Sequence, residues 1–349
     1  MLSSDVLTCI LSFQMLETSS TWNNLPSMVK PRSKDLVDQL LKSKADSTSS
    51  RYSKEIEKFC KWCKSFSVEP RPPFTVALVI AYLSKVYGKS KSYSSLVLTH
   101  SALKWFHSFL PDMVANPFDS PICHNLLEAA KRCKAPIEKK SPVTPVMIKE
   151  IIDQYGSPSA NLKDLRLACL CSLGFAGFFR YNELSNILPC HLEFFPGYLK
   201  VFVPRAKNDV YREGNYVYIS RLNNHYCPVV LLERYIHMAD IDPTSTAALF
   251  RQVRLFKSIN RYKLCGDKLS YSRCRELFKN CLKDLGYNEK LYGLHSLRSG
   301  GATAAVKNNV NLSERLLKLH GRWKSDSAKD MYILEDTSKR LAVSSHLGV

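Results

Sequence analysis

Two short motifs in the second half of the chain combine side chains that bind oxyanions. His295 and Arg298 are three residues apart, which puts both on one face of a helix, and the two glycines that follow allow another backbone to approach closely. An imidazole and a guanidinium on one face can bind a tetrahedral oxyanion. Upstream, Arg180 follows a nearly all-apolar stretch, and Glu183 comes one helical turn later and can orient it. A purely structural ion pair explains the Arg180–Glu183 spacing equally well.

A tyrosine and a lysine could complete a reaction at phosphorus. Tyr332 follows Trp323 by nine residues, across a polar, turn-like segment. A tyrosine near the C-terminus is ordinarily a core or surface residue, and its alternative role is that of a covalent nucleophile. Lys207 lies at the end of the first strand of a predicted β-hairpin, whose strands are the β-branched and aromatic segments 198–203 and 216–219. Considered alone, Lys207 is a solvated lysine.

Helical periodicity characterises the elements that must position these residues. Apolar residues recur at helical spacing over 46–63, 76–87, 92–109 and 121–132, and Gly88 is predicted to end the second of these helices. Further helices are predicted over 146–155, over 162–175 and from 228 to about 342, around the one hairpin. The predicted fold is therefore mainly α with a small antiparallel β-sheet.

A basic, proline-broken stretch divides the chain. Residues 134–144 are poor in apolar side chains and are interpreted as an interdomain linker, or equally as a nuclear localisation signal. We therefore predict an N-terminal tail over 1–33, an all-α domain over 34–133 and a mixed α+β domain over 145–349.

The composition favours a polyanionic partner. The chain has 349 residues, and 50 Lys and Arg against 31 Asp and Glu give a formal net charge of +19, which suggests nucleic acid. Hydrophobic residues make up 45%, enough for a core, and no run of 18 apolar residues predicts a membrane span. The 12 cysteines, including the isolated Cys60–Cys63 pair, follow no disulfide or zinc spacing. We expect reduced thiols, no metal and no secretion.

In this order and spacing, the motifs resemble those of the tyrosine recombinase (phage integrase) family over about residues 34–345. Trp323 occupies a position that holds histidine in many members. Two of the motifs are most similar in sequence to those of eukaryotic mobile-element recombinases of the DIRS-like and crypton-like groups. They are Gly-Phe-Phe-Arg and His-Ser-Leu-Arg-Ser-Gly-Gly-Ala-Thr. The resemblance implies a set of catalytic residues with one supporting carboxylate: Arg180, Lys207, His295, Arg298, Trp323 and Tyr332, supported by Glu183.

The resemblance also implies a fold and a mechanism. The first domain would be a SAM-like core-binding domain and the second the catalytic domain, closing together around duplex DNA. Two arginines would clamp the scissile phosphate while Tyr332 attacks to form a 3′-phosphotyrosine. Lys207 would protonate the leaving 5′ oxygen, and His295 would act as a general base or phosphate donor. No cofactor, metal or ATP is expected.

Partners follow from the same resemblance. Double-stranded DNA is the expected partner, bound by a homotetramer that assembles through the C-terminal tail, and the expected location is nuclear if the source is eukaryotic and otherwise cytoplasmic. Basic and hydroxyl side chains at the starts of helices suit phosphate contacts. Lys104, which is not at the start of a helix, is included in the predicted set as a further basic residue. The predicted DNA-binding residues are Thr48, Arg51, Tyr52, Lys89, Lys91, Ser92, Ser94 and Lys104.

Two alternatives stay open at this point. A type IB topoisomerase-like enzyme would use the same chemistry on one duplex without strand exchange, although a separate core-binding domain argues against it. A domesticated, inactive recombinase would keep only DNA binding, although all six expected side-chain types are present.

Overall fold

The computed structural model describes residues 24–30, 35, 39–40, 42–70, 72–109, 115–136, 138–204, 209, 213–308, 311–334 and 341. The chain divides into two compact units, Met1–Ile137 and Glu138–Val349. The boundary between them falls inside residues 134–144. No helix within the described ranges is long and apolar enough to span a membrane.

The described part of the first unit is helical, as the periodicity predicts. Its helices are α1 (Asp46–Lys64), α2 (Val76–Ser90), α3 (Tyr93–His107) and α4 (Pro121–Arg132). Their apolar faces meet in one core around Phe59, Leu83 and Phe106. α1 and α3 run in opposite directions, because Tyr52 packs on Trp105 at 5.5 Å between ring centroids while Thr99 donates to Glu55 at 2.9 Å.

The Cys60–Cys63 pair belongs to this core. Both side chains are buried on α1. Burial, with the neighbouring thiol, raises the pKa of Cys60 to about 12, and burial raises the pKa of Cys63 to about 11. Both thiols therefore stay protonated at neutral pH and pack as small apolar groups.

The prediction that Gly88 ends the second helix was wrong. α2 continues to Ser90, and Lys91 takes the left-handed conformation at φ 47°. The Lys91 N–H donates to the Tyr87 carbonyl at 2.7 Å, so a lysine closes the helix in the role that glycine usually fills. Gly88 is exposed inside the helix, with open space around its Cα.

The second unit surrounds one buried helix. Its elements before the first sheet are α5 (Pro145–Tyr155), α6 (Leu162–Ala176) and α7 (Tyr181–Leu184). α6 is apolar on nearly every side and packs against α5 and two later helices, α8 (Pro228–Met238) and α10 (His295–Asn308). The remaining helices are α9 (Tyr271–Asp284), α11 (Glu314–Gly321) and α12 (Asp326–Asp330).

The predicted hairpin is present and forms part of a three-stranded antiparallel sheet. Its strands are β1 (Leu192–Phe194), β2 (Tyr198–Val203) and β3 (Asn215–Ser220), in the order β1-β2-β3. Val201 pairs with Val217, and both side chains point into the core.

A second antiparallel sheet lies where the sequence predicted helix. β4 (Arg251–Phe256) pairs with β5 (Arg261–Lys268) through a turn in which Asn260 takes a φ of 45°. Most of its side chains are exposed, so no strong apolar period distinguishes strand from helix there. The expectation of continuous helix after residue 228 was wrong for this reason.

Two glycines on α10 allow the close approach that brings the site together. A Cβ at Gly300 would lie 2.2 Å from the Val143 carbonyl oxygen, and one at Gly301 would lie 2.1 Å from the Phe175 carbonyl oxygen. Both distances are far below van der Waals contact. α10 can therefore lie directly against the end of α6 at Gly301 and against the Val143 backbone at Gly300 only because these positions have no side chain.

We expect Gly88→Ala to stabilise the first unit by about 0.5–1 kcal/mol, since alanine restricts the unfolded chain and favours the helix interior. Urea unfolding followed by circular dichroism measures the change. The matched control is Gly286→Ala, which also faces open space but has a φ of +83°. It should destabilise the second unit, because alanine is strained in that conformation. A loss of stability in Gly88→Ala would contradict the continuous helix.

Candidate active site

Three chain segments converge at the end of α6. The first is the turn from Gly177 to Glu183, the second is the start of α10, and the third is the segment 320–323 that ends α11. Arg180 precedes α7 as its N-cap residue, and its backbone N–H donates to the Glu183 carboxylate at 3.0 Å. The predicted Arg180–Glu183 spacing is thus realised as the first turn of a short helix.

Glu183 lies at the centre of the site, with its side chain 2% exposed. Its Oε1 accepts from Arg180 Nη1 at 2.8 Å, and its Oε2 accepts from Arg322 Nη2 at 2.8 Å. Arg298 Nη1 lies 3.8 Å from the same Oε2. Burial alone would raise the pKa of Glu183, but Arg322, the Arg180 N–H, Arg298 and the Arg180 guanidinium outweigh it and hold that pKa below its usual value.

Arg298 is fully buried beneath two aromatic rings. Its Nη1 donates to the Phe178 carbonyl and its Nη2 to the Gly321 carbonyl. Its guanidinium carbon lies 4.6 Å from the Trp323 ring centroid and 4.9 Å from the Tyr332 ring centroid. Burial, followed by repulsion from Arg180 and Arg322, lowers the pKa of Arg298 to about 9, so it stays charged at neutral pH.

Tyr332 forms the outer surface of the site. Its ring is half-buried, 6.4 Å from the His295 ring at an angle of 25° and 5.5 Å from the Trp323 ring. Trp323 is buried, and its indole N–H donates to no acceptor among the described residues. His295 is exposed at the rim. The Tyr332 and His295 rings therefore border one small region of surface, and the Trp323 ring packs beside Tyr332.

The structure brings together five of the six predicted catalytic residues and the supporting glutamate. They are Arg180, His295, Arg298, Trp323 and Tyr332, with Glu183. Lys207 lies outside the described residues, between β2 and β3. The exposure of the two arginines differs, since Arg180 is 9% exposed and Arg298 is 0% exposed. In this arrangement Arg180 reaches the surface, and Tyr332 covers Arg298.

The predicted DNA-binding residues of the first unit fall into two groups. Thr48, Arg51 and Tyr52 lie at the start of α1, beside the end of α3 where Tyr52 packs on Trp105. The second group, Lys89, Lys91, Ser92 and Ser94, lies where α2 ends and α3 begins. Helical rise puts about 21 Å between the two ends of α3, which has 15 residues. They therefore form two patches rather than one cluster.

Some of these side chains already have partners in the fold. Ser92 caps α3 by accepting from the Ser95 N–H at 3.3 Å, and Lys104 pairs with Asp119. Arg51, Lys89, Lys91 and Ser94 are exposed. The exposed residues are thus the better placed of the predicted set to meet a ligand.

Sequence reasoning missed two residues of the site. Arg322 adopts the left-handed conformation at φ 54°, with a side chain 2% exposed, and bonds to Glu183. Thr303 on α10 donates to the Tyr332 carbonyl at 3.3 Å and accepts from the Leu334 N–H at 3.0 Å, so it holds the Tyr332 segment. A lone arginine in a polar turn and a lone threonine on a helix carry no periodic signal that would have singled them out.

Comparisons with known proteins give a sequence relative and several structures. No family model matches the chain. It is 25% identical over 307 residues to a protein of Selenomonas ruminantium named integrase/recombinase xerD homolog, covering 86% of this chain and 84% of that protein.

Solved structures share its fold at low identity. The XerH site-specific recombinase, bound to a palindromic difH substrate, has a TM-score of 0.62 at 14% identity, with 98% of this chain and 95% of that chain covered. A lambda integrase dimer bound to a COC′ core site has a TM-score of 0.53 at 17% identity, with coverages of 86% and 94%. The Tn1549 transposon integrase, in complex with circular intermediate DNA, has a TM-score of 0.53 at 13% identity, with coverages of 97% and 99%.

We expect Glu183→Gln to destabilise the second unit by about 3 kcal/mol or more, because it leaves three clustered guanidiniums without their carboxylate. The wild-type advantage requires the ionised carboxylate. It is therefore complete above the usual glutamate pKa and is lost as pH falls through the lowered pKa of Glu183. Urea unfolding over a pH series measures the difference, which should be widest at neutral pH.

The matched control for this variant is Glu276→Gln. Glu276 pairs with Arg273 at 2.9 Å, but both side chains are more than half exposed. Its loss should change stability by less than about 1 kcal/mol at any pH. Equal effects of the two variants would contradict the organising role of Glu183.

Proposed function

We propose that the chain belongs to the tyrosine recombinase family and is a site-specific DNA recombinase that cuts and rejoins DNA through a covalent bond between Tyr332 and a 3′ phosphate. The sequence relative and the shared fold support this assignment. One observation carries this proposal: His295, Arg298 and Trp323 meet around the Tyr332 ring, and Glu183 joins Arg180 to Arg298. These side chains are a phosphate clamp, a donor set and a nucleophile within one site.

The reaction is an exchange of esters at phosphorus. The Tyr332 oxygen forms a bond to phosphorus while the bond from phosphorus to the 5′ oxygen breaks, and the departing oxygen takes up a proton. One phosphodiester is replaced by one phosphotyrosine, so rejoining needs no ATP. Arg180 and the Trp323 N–H would donate to the non-bridging oxygens, where negative charge grows. His295 would accept the phenol proton or donate to the phosphate, and Lys207 would protonate the leaving oxygen.

Tyr332 has to move off Arg298 for both arginines to reach one phosphate. The ring lies over the Arg298 guanidinium, and both Nη atoms donate to backbone carbonyls. A phosphate anion would compete with the ring face for the guanidinium charge, and ionic hydrogen bonds are stronger than the cation–π contact. We infer that DNA binding opens the site by displacing the Tyr332 ring.

Duplex DNA is the partner that fits the charge of the chain. The net charge of +19 and the exposed basic residues at both ends of α3 support phosphate contacts by the first unit. We further propose that the gene belongs to a mobile genetic element. If the source is eukaryotic, the proposed location of the protein is the nucleus, and otherwise it is the cytoplasm. The amino-acid sequences of the two arginine-containing motifs support the mobile-element origin, and the basic stretch 134–144 supports the nuclear location.

An apolar groove supports a homotetramer built through the C-terminal tail. The groove has a volume of about 850 Å³ and lies between β3, α10 and α11. Its wall includes Leu316 and Leu319, which are 55% and 57% exposed, and Tyr218. Residues 334–349 carry Leu341 and Leu347. We propose that this tail of one subunit fills the groove of the next on DNA, where it excludes water from the apolar wall.

We expect wild-type protein to form an SDS-resistant adduct with nicked duplexes from a library randomised at the cleavage site, and Tyr332→Phe to form none, because phenylalanine has no attacking oxygen. The adduct is counted on denaturing gels, and recovered DNA identifies the preferred site. Arg180→Ala should lower the rate at least about a hundredfold, by analogy with the loss of one oxyanion donor.

The matched control for the adduct assay is Tyr271→Phe. Tyr271 is exposed at the start of α9, outside the three converging segments, and its ring packs edge-on against Tyr181, a contact that phenylalanine keeps. It should form adduct at the wild-type rate. An adduct that persists in Tyr332→Phe would place the nucleophile elsewhere, and DNA binding without any wild-type adduct would favour an inactive, DNA-binding descendant.

We expect the double variant Leu316→Glu/Leu319→Glu to keep adduct formation but to lose assembly of four subunits on paired DNA sites, because two carboxylates in the groove repel an apolar tail. Light scattering after size exclusion of the protein–DNA complex measures the assembly. Leu291→Glu, an equally exposed leucine outside the groove, is the control. Normal tetramers in the double variant would show that the tail packs elsewhere.

A further inference from the structure

Arg322 makes more hydrogen bonds than any other guanidinium of the site. Its Nη1 donates to the carbonyls of His320 at 2.7 Å and Gly177 at 3.2 Å. Its Nη2 donates to the carbonyls of Phe178 at 2.9 Å and Gly177 at 3.2 Å, and to Glu183 Oε2 at 2.8 Å. These five hydrogen bonds bind Arg322 to three backbone carbonyls and to Glu183.

Arg322 cannot itself receive the DNA phosphate in this arrangement. Its side chain is 2% exposed, whereas Arg180 reaches the surface. The Arg322 guanidinium also packs on the Phe179 ring, with the guanidinium carbon 5.0 Å from the ring centroid. Any influence of Arg322 on the reaction must therefore pass through the groups that it holds.

Three of those groups belong to the segment that carries Arg180. The carbonyls of Gly177 and Phe178 lie just before Arg180, and Glu183 binds the Arg180 guanidinium from one turn later. Arg322 thus fixes this turn from both sides. A lysine could not do so, because one ammonium group lacks the planar fork that spans a carboxylate and three carbonyls at once.

The electrostatics point in the same direction. Among the residues that the structure describes, Glu183 Oε2 receives only the Arg180 N–H and Arg322 Nη2 as hydrogen-bond donors, since Arg298 is 3.8 Å away. The other titratable groups packed around this cluster are His320, whose carbonyl accepts from Arg322, and Tyr332 above Arg298. With Arg322 removed, the burial of Glu183 would be opposed by fewer positive charges.

Building on the proposed function, we propose that Arg322 is a positioning residue for DNA cleavage: it locks the Glu183 carboxylate and the turn around it, and Glu183 in turn holds the Arg180 guanidinium against the scissile phosphate. A misplacement of about 1 Å in such a group can slow a reaction about a hundredfold. The role differs from simple stabilisation, because it predicts a change in how cleavage depends on pH.

The experiment measures the rate of adduct formation between pH 5 and pH 9 on the site recovered from the library. Wild-type protein should show no acidic limb from Glu183, because its pKa is lowered. Arg322→Met should cleave about tenfold to a hundredfold more slowly. Its rate should also fall further as pH decreases, because a buried Glu183 without Arg322 takes up a proton at higher pH and releases its grip on Arg180.

Two further variants separate positioning from folding. Glu183→Gln/Arg322→Met has no carboxylate to titrate, so the acidic limb should disappear while the rate stays low. Arg322→Lys keeps a positive charge beside Glu183, so it should cleave more slowly than wild type without the acidic limb. Because it retains the charge, it also provides the test if the methionine variant fails to fold. Arg315→Met, on the exposed face of α11, is the matched control and should behave as wild type.

The outcomes distinguish this inference from the proposed function. If Arg322→Met and Arg322→Lys both keep the wild-type rate and pH profile, Arg322 does not position the reaction. The inference also fails if the acidic limb of Arg322→Met persists in the double variant, because Glu183 would not be its source. If wild-type protein and every variant bind DNA but form no adduct, the recombinase function fails instead.

Discussion

The carboxylate of Glu183, buried among three guanidiniums, is the interaction on which the rest of the site depends. Arg180, Arg298 and Arg322 would repel one another without it, and each would be expensive to bury. One carboxylate neutralises only one of them, which leaves a net charge of +2. The five-coordinate phosphorus group formed when a phenolate attacks a phosphodiester carries two negative charges. In the proposed reaction, the cluster would therefore match the charge that develops on phosphorus during cleavage.

The same cluster joins segments that are distant in the chain. Arg298 and Arg322 both donate to the Phe178 carbonyl, and both bind the 320–321 backbone, through the Gly321 and His320 carbonyls respectively. The turn after α6, the start of α10 and the end of α11 are therefore linked by buried charged hydrogen bonds. Such bonds are strong when complete and costly when one partner is missing. The positions of the reactive groups and the folding of the second unit consequently depend on the same contacts.

Much of this site could be predicted from sequence because its motifs are local. The Arg180–Glu183 pair and the His295–Arg298 pair need only one helical turn each, and Trp323 and Tyr332 keep a short spacing. Arg322 could not be found in this way, since all its partners except the His320 carbonyl lie more than 130 residues away in the chain. The β4–β5 hairpin was missed for a different reason: its exposed side chains leave too little apolar alternation to distinguish strand from helix. Apolar periodicity predicts elements that bury one face within a short stretch of sequence. Arg322 depends on distant partners and the β4–β5 hairpin is mostly exposed, so periodicity predicts neither.

The contact between Gly321 and Trp323 restricts which mutations each of the two positions can accept. A Cβ at this glycine would lie 1.9 Å from the Trp323 ring, so no larger residue fits while the indole is in place. An imidazole at position 323 would leave that space open. Evolution could therefore enlarge position 321 only after, or together with, a change of the tryptophan, and the order of these two mutations along a lineage is constrained by a single steric contact.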